Sequence, residues 1–394
     1  MQRLQRFLAL VLLTFTLLGC LPFRAHAASA NRYPVIFVPG IAGTELYNGN
    51  ELVWVNVWRL LGSQVPILNL FQMSWLLPLR LAADGTAPYY PGARVRTGDV
   101  MRHNTTDIYG GMLDSIEKQG YVEGKDLFLF PYDWRQDLAL TGDQLGRKVD
   151  QVLTATGAGK VIIISHSMGG LIARDYVVRG GAAKVKATIA MATPWLGVPM
   201  AYRALEYGWD MGLKLPGTRW SALAPKDIKL LSQNYPSVYQ LAPARQYFDL
   251  YPQGYLIRSG RSYSYTEAVE KALAPHNGAL AGRGAAYYDR LLDGSSHGVL
   301  QFVLAGRGRQ TLGEITERRD WLGITHKTER MTDGDEVVPV RSADLGYSED
   351  PARAARYIGA LQDVAYVNAA HTFITGAAPV QVRVGEWLAF TNRQ

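Results

Sequence analysis

Val161-Ile162-Ile163-Ile164-Ser165-His166-Ser167-Met168-Gly169-Gly170 is the stretch whose reading decides the fold. Four aliphatic β-branched residues in a row read as a strand buried on both faces, the kind found at the centre of a parallel sheet. A helical pattern follows through Val178. Between the two the chain reverses within a few residues. The positions two before and two after Ser167 must therefore be small, so that backbone can pass backbone in a strained turn. Gly169 meets that need fully. Ser165 stands where such turns usually carry glycine, and its short side chain is sterically tolerable there. A helix starting directly after Ser167 aims the positive end of its dipole at the hydroxyl, which favours an oxyanion. Ser167 is the candidate nucleophile.

Outward from this turn, apolar runs of strand length alternate with amphipathic helical stretches. Tyr33 to Val38 reads as a buried strand ending in Pro39-Gly40. Ile108 to Gln119 has helical spacing and stops at Gly120. Leu127 to Phe130 is a strand leading into Pro131-Tyr132-Asp133-Trp134-Arg135, and Leu138 to Ala155 a long helix. Val185 to Met191, Phe302 to Ala305 and Val364 to Val367 complete the strands, and a last helix starts near Val380. The pattern is that of an α/β protein, a mostly parallel sheet with helices on both faces, and the serine turn makes it an α/β-hydrolase fold. The expected core spans residues 31–196 and 301–394, with an inserted cap over 197–300 that is rich in Tyr, Pro and Gly. A second irregular segment, about 48–95, holds Trp54, Trp58 and Trp75 among many leucines. Both are long for loops of a compact domain, which points to a lid or a binding surface. There is no internal repeat and no low-complexity tract.

A serine hydroxyl is a poor nucleophile until a base takes its proton. In this fold the order along the chain is Ser, then acid, then His. His371, in Asn368-Ala369-Ala370-His371-Thr372, is the only histidine after residue 326 and sits just past a terminal strand. The acid must hold the imidazole tautomer from a fixed position at a strand end. It lies within Thr332-Asp333-Gly334-Asp335-Glu336-Val337-Val338-Pro339, with Asp335 the choice and Asp333 the reserve or a turn cap; Asp344, Asp350 and Asp363 read as solvated. The oxyanion needs two backbone N–H donors: Met168, directly after the serine, and the turn Pro39-Gly40-Ile41-Ala42-Gly43-Thr44, through Ile41. His166 belongs to the serine turn and packs or hydrogen-bonds there. His103, His276, His297 and His326 precede the acid and show no metal-ligand spacing, so neither a metal nor a cofactor is expected.

The N-terminus reads as an export signal. Arg3 and Arg6 precede an apolar run from Phe7 to Leu18. Ala25-His26-Ala27 then offers a signal-peptidase site, and Leu17-Leu18-Gly19-Cys20 resembles a bacterial lipobox in which Cys20 would be lipidated. The expected location is periplasmic, extracellular or lipid-anchored to the envelope. Cys20 is the one cysteine, which excludes a disulfide or a thiolate metal site in the folded part. The chain carries formal charge +7, of which Arg3, Arg6 and Arg24 would leave with the signal. What remains suits an anionic lipid surface and is too weak and dispersed for nucleic acid.

Taken in order, Pro39–Thr44, Pro91-Gly92-Ala93-Arg94-Val95-Arg96, Pro131–Arg135, Ser165–Gly170, Thr193-Pro194-Trp195 with Gly197-Val198, Pro236-Ser237-Val238-Tyr239 and Asp333–Val338 resemble one family. It is that of lecithin:cholesterol acyltransferase, lysosomal phospholipase and phospholipid:diacylglycerol acyltransferase. The resemblance implies cleavage of a glycerolipid ester through an acyl-serine, with transfer to water or an alcohol. It also implies that Trp54, Trp58 and Trp75 meet a lipid or membrane surface that supplies the substrate, and that Pro131–Arg135 brace the pocket. Eukaryotic members fasten their lid with a disulfide that this chain cannot form, and the bacterial-type N-terminus argues against cholesterol as acceptor. The competing readings are an esterase of small soluble esters and an inactive lipid-binding envelope protein on the same fold. The ordered Ser, Asp and His weigh against the second of these.

Overall fold

The uninterrupted apolar runs of the sequence form the centre of the molecule. The computed structural model describes residues 32–55, 75–102, 108–209 and 224–394. Tyr33–Gln394 make one compact unit, and the export signal and Trp58 lie outside the described residues. The first part of the chain gives β1 (Val35–Val38), β2 (Thr44–Asn48), β3 (Glu51–Trp54), β4 (Val95–Val100), α1 (Gly110–Lys118) and β5 (Leu127–Leu129). The middle gives α2 (Leu138–Thr156), β6 (Val161–His166), α3 (Met168–Val178), β7 (Val185–Met191) and α4 (Pro199–Tyr207). After these come β8 (Leu256–Arg258), β9 (Arg261–Ser262), α5 (Ala274–Leu291), β10 (Leu300–Gly306), β11 (Arg309–Arg319), β12 (Thr325–Gly334), β13 (Asp363–Val367) and α6 (Ala378–Asn392). Shorter helices connect them.

The main sheet has six strands in the order β13-β10-β7-β6-β1-β5, and every neighbouring pair is parallel. Such a sheet needs cover on both faces, and β1 and β6 are accordingly buried at every residue. The flanking helices begin and end where the sequence dictates. Asp137 caps α2 by accepting from the Ala139 N–H at 2.8 Å, and Gly157, at φ 69°, closes it in the left-handed conformation.

Two smaller sheets sit around this core. The three-stranded sheet β3-β2-β4 follows the turn after β1, and the four-stranded sheet β12-β11-β8-β9 contains the long hairpin β11–β12. Strands β8 and β9, from within 197–300, thus pair with a hairpin from the C-terminal part of the chain.

The small sheet corrects one expectation. Trp54 was expected to face lipid, yet it is 3 % exposed. Its indole N–H donates to Ala42 O at 2.8 Å, and its ring packs edge-on against Trp134 with centroids 5.3 Å apart. The N–H that would favour a wet interface is satisfied inside. Trp75 is half-buried and packs on the same core. Among the described residues, no helix is long and apolar enough to cross a membrane.

Candidate active site

Ser167 is the hinge between β6 and α3. Its backbone lies at φ 54°, ψ −127°, a conformation that L-residues avoid and that persists only where surrounding structure enforces it. The enforcement is visible in the neighbours. A Cβ on Gly169 would stand 2.5 Å from Val38 O and 2.6 Å from Pro39 O, so backbone does pass backbone here. Ser165, in place of the usual glycine, is fully buried, and its hydroxyl is 3.4 Å from Ile189 O on β7. The Ser167 N–H donates to Met191 O at 2.8 Å.

The structure brings the three sequence-selected side chains together. His371, in the turn after β13, has Nε2 2.9 Å from Ser167 Oγ and Nδ1 2.8 Å from Asp335 Oδ2. The carboxylate can only accept, so Nδ1 carries the proton and Nε2 is free to accept from the serine. Asp335 is fully buried and held by further hydrogen bonds. Its Oδ1 accepts from the N–H groups of Val337 at 3.0 Å and Val338 at 2.7 Å, and its carbonyl accepts from His371 N–H at 2.9 Å. Ser167 and His371 are also buried, at 5 % and 7 % exposure, so the pair interacts away from bulk water.

Asp333 does something else. It is exposed on the hairpin and accepts from Gly308 N–H at 2.5 Å, which makes it a turn brace. Asp344, expected to be solvated, is instead fully buried. It accepts from Gly346 N–H, Ser348 N–H and the Tyr366 hydroxyl, at 2.8–3.0 Å. Asp350 caps the helix Pro351–Ile358, and Asp363 accepts from the Trp387 indole.

The turn after β1 lies directly against the serine. A Cβ on Gly40 would fall 2.9 Å from Ser167 Cβ. The Gly40 N–H is committed to Tyr109 Oη at 2.9 Å, and Gly43 N–H to Gly40 O. Ile41 N–H has no intramolecular acceptor among the described residues, and Met168 N–H belongs to the first turn of α3, where no intrahelical acceptor exists. Two unclaimed donors therefore flank the hydroxyl. The Pro131–Arg135 block holds this turn from behind. Tyr132 Oη donates to Pro39 O at 2.8 Å, Trp134 Nε1 to Thr44 O at 3.1 Å, and Arg135 pairs with Asp133 while reaching Leu79 O.

One residue at the site escaped the sequence reading. Tyr109, just before α1, is 1 % exposed. Its hydroxyl accepts from Gly40 N–H and lies 3.1 Å from His166 Nδ1, while His166 Nε2 is 3.1 Å from His371 O. A carbonyl cannot donate, so Nε2 carries the His166 proton and Nδ1 accepts from Tyr109. Burial, and next the nearby His371, push the His166 pKa well below 6.5 and keep the ring neutral. A chain of hydrogen bonds thus runs from the Gly40–Ile41 turn through Tyr109 and His166 to the His371 backbone. No local motif marks Tyr109; its partner lies 57 residues on. Among the described residues, no group of three or more His, Cys, Asp or Glu side chains could hold a metal.

The sheet order, the serine turn and the buried Ser–His–Asp arrangement define an α/β hydrolase. The family model for lecithin:cholesterol acyltransferase matches residues 57–269, over half of the chain, and this protein belongs to that family. Lecithin-cholesterol acyltransferase-like 4 of Arabidopsis thaliana is 30% identical over 241 residues, covering 54% of this chain and 43% of that protein. The human lysosomal phospholipase A and acyltransferase is 23% identical over 286 residues, covering 64% of this chain and 68% of its own. The chain spans about half the length of the first curated relatives it matches, between 43% and 55%. Among solved structures, the Tle4–Tli4 complex superposes with a TM-score of 0.62 at 15% identity, over 92% of this chain and 98% of that one, which supports the fold.

Proposed function

We propose that this protein is a serine-dependent lipid acyl hydrolase or O-acyltransferase that cleaves a glycerolipid ester. The observation that carries the reading is the Ser167–His371–Asp335 line, with contacts of 2.9 and 2.8 Å, at the head of a helix. The relatives named lysosomal phospholipase A and acyltransferase, and the family itself, support the choice of a lipid ester over other acyl compounds.

In this reading Ser167 Oγ attacks the ester carbonyl carbon while its proton passes to His371 Nε2. Asp335 keeps the imidazole in the Nδ1–H tautomer and stabilises the imidazolium that forms. The carbonyl oxygen becomes an oxyanion, met by the N–H groups of Ile41 and Met168 at the positive end of α3. The ester C–O bond then breaks, and His371 returns the proton to the leaving alcohol oxygen, which departs as a lysolipid. Water or an alcohol attacks the acyl-serine with His371 as base, the acyl group leaves on the acceptor, and Ser167 regains its proton. The chain would act outside the cytoplasm, drawing substrate from a lipid surface.

The test is the product mixture from phosphatidylcholine vesicles with and without an added long-chain alcohol. Fatty acid alone without the alcohol, and acyl ester at its expense when alcohol is present, is the expected result. Cleavage of short soluble esters with phospholipid untouched would reject the lipid substrate.

A further inference from the structure

The one concentrated apolar projection among the described residues lies in sequence well outside the segment 48–95. It is the turn joining β11 to β12, Asp320-Trp321-Leu322-Gly323-Ile324. Trp321 is 90% exposed, Leu322 61% and Ile324 53%, three large apolar side chains within four residues. Scattered exposed hydrophobics are ordinary, but a cluster at the tip of a projection has to be explained.

The turn is built to hold these side chains outward. Asp320 Oδ1 accepts from the N–H groups of Leu322 and Ile324, both at 2.9 Å, and Oδ2 from His326 Nε2 at 2.8 Å. Arg319 Nε donates to Gly323 O at 2.9 Å, and Gly323 takes the left-handed conformation at φ 80°. The backbone of the turn is thus satisfied locally, and its apolar side chains stand largely in solvent.

The stalk is stiff where it meets the body. Leu312 and Ile315 are buried, and the buried Glu317 accepts from Tyr202 and Tyr207 hydroxyls and from Arg258 Nε at 2.5–2.7 Å. At its foot β12 runs into Gly334 and Asp335, so the stalk stands next to the catalytic acid. Ten residues of β12 at ~3.3 Å each put the tip roughly 30 Å along the strand from that foot.

Charge completes the pattern. Arg318 and Arg319 are exposed at the neck of the tip, while Lys327 across the hairpin is paired with Glu329 and Asp320 is engaged by the turn. An apolar wedge ending in a tryptophan, with a basic collar behind it, suits a surface that is apolar inside and negatively charged at its face.

We infer that the Trp321-Leu322-Ile324 tip is the contact by which this protein attaches to an anionic phospholipid surface. The inference rests on the lipid substrate proposed above and assigns the surface contact to a hairpin outside the irregular segment 48–95. The wedge enters the headgroup region, and Arg318 and Arg319 face the anionic headgroups around it.

The experiment is sedimentation of the full chain with vesicles of phosphatidylcholine alone and of phosphatidylcholine mixed equally with phosphatidylglycerol. It compares the wild type, Trp321→Ala with Leu322→Ala, and Arg318→Gln with Arg319→Gln. All replaced side chains are exposed, and hydrolysis of a short soluble ester should stay within twofold in every variant. The apolar pair should lower binding to mixed vesicles at least tenfold. The arginine pair should lower it about fivefold per charge and remove the preference for phosphatidylglycerol. Unchanged binding and phospholipid turnover by the apolar variant would overturn the inference and leave the lipid hydrolase reading intact. Tip-dependent binding without fatty acid release would leave the anchor standing and reject the substrate. Wild-type dimers that the apolar variant dissolves, with no vesicle binding, would make the tip a self-association surface and overturn the inference.

Discussion

Replacing Tyr109 with Phe removes one oxygen atom from a fully enclosed place. That oxygen accepts from Gly40 N–H at 2.9 Å and serves His166 Nδ1 at 3.1 Å. The Phe ring keeps the edge-on contact with Phe37, whose centroid lies 5.1 Å away, so packing is little changed. What changes is that a buried N–H and a buried ring nitrogen lose their partners together. Each such group costs about 1–3 kcal/mol. The ring nitrogen, an acceptor, falls at the low end of that range, which gives about 2–4 kcal/mol of stability. The Gly40–Ile41 peptide, released from its tether, also moves against Ser167. An oxyanion donor displaced by a fraction of an ångström should lower kcat roughly tenfold to a hundredfold, with KM little affected. Urea unfolding gives the first quantity and steady-state hydrolysis of a short soluble ester the second. A stability loss under about 0.5 kcal/mol together with an unchanged kcat would show that the Tyr109–His166 chain neither holds the turn nor serves the reaction, since a buried unpaired pair cannot cost so little.

Three further expectations follow from the same geometry. Asp335→Asn should lower kcat by about 10⁴, as loss of the correct tautomer does in such sites, while Asp333→Asn, which only loosens the Gly308 turn, should stay within a few-fold; equal losses would reverse the assignment. His166 stays neutral in the fold while the unfolded chain protonates it near pH 6.5. Its contribution to stability is therefore full above that pH and is lost as pH falls toward the depressed folded value, and His166→Gln should flatten that part of the stability–pH curve. Trp54→Ala should cost about 3–5 kcal/mol, as a buried large-to-small change does, with vesicle binding by the folded fraction unchanged; weakened binding at constant stability would restore Trp54 to the lipid surface.

What could be read from the sequence was what local patterns carry. The all-apolar run Val161–Ile164 and the mostly apolar run Val185–Met191, broken by Lys186 and Thr188, gave strands close to their observed bounds, because a parallel strand covered on both faces favours such composition. Small residues around Ser167 and the chain order selected three side chains that the fold brings to within 2.9 Å of one another in line. The hairpin β11–β12 was not legible. Its residues Arg309–Arg319 and Thr325–Gly334 are rich in Arg, Glu and Thr, and β12 is exposed along most of its length, so no apolar alternation announces it. Trp54 was misread because an indole N–H finds a backbone carbonyl such as Ala42 O as readily as water, and only the folded turn reveals which. Asp344 and Tyr109 were missed for the same reason: their partners are brought close by the tertiary fold, at Tyr366 and at His166.

The central claim is that Ser167 is the nucleophile of a serine hydrolase site, and active-site labelling tests it most directly. Wild type, Ser167→Ala and His371→Ala are treated with a fluorophosphonate probe at neutral pH, and the modified peptide is located by mass spectrometry, with circular dichroism confirming that each variant is folded. The account predicts stoichiometric phosphonylation on Ser167 in the wild type, none in Ser167→Ala, and labelling slowed by several orders of magnitude in His371→Ala, where no base takes the proton. Undiminished labelling of folded Ser167→Ala, or a modified residue elsewhere in the chain, would contradict it.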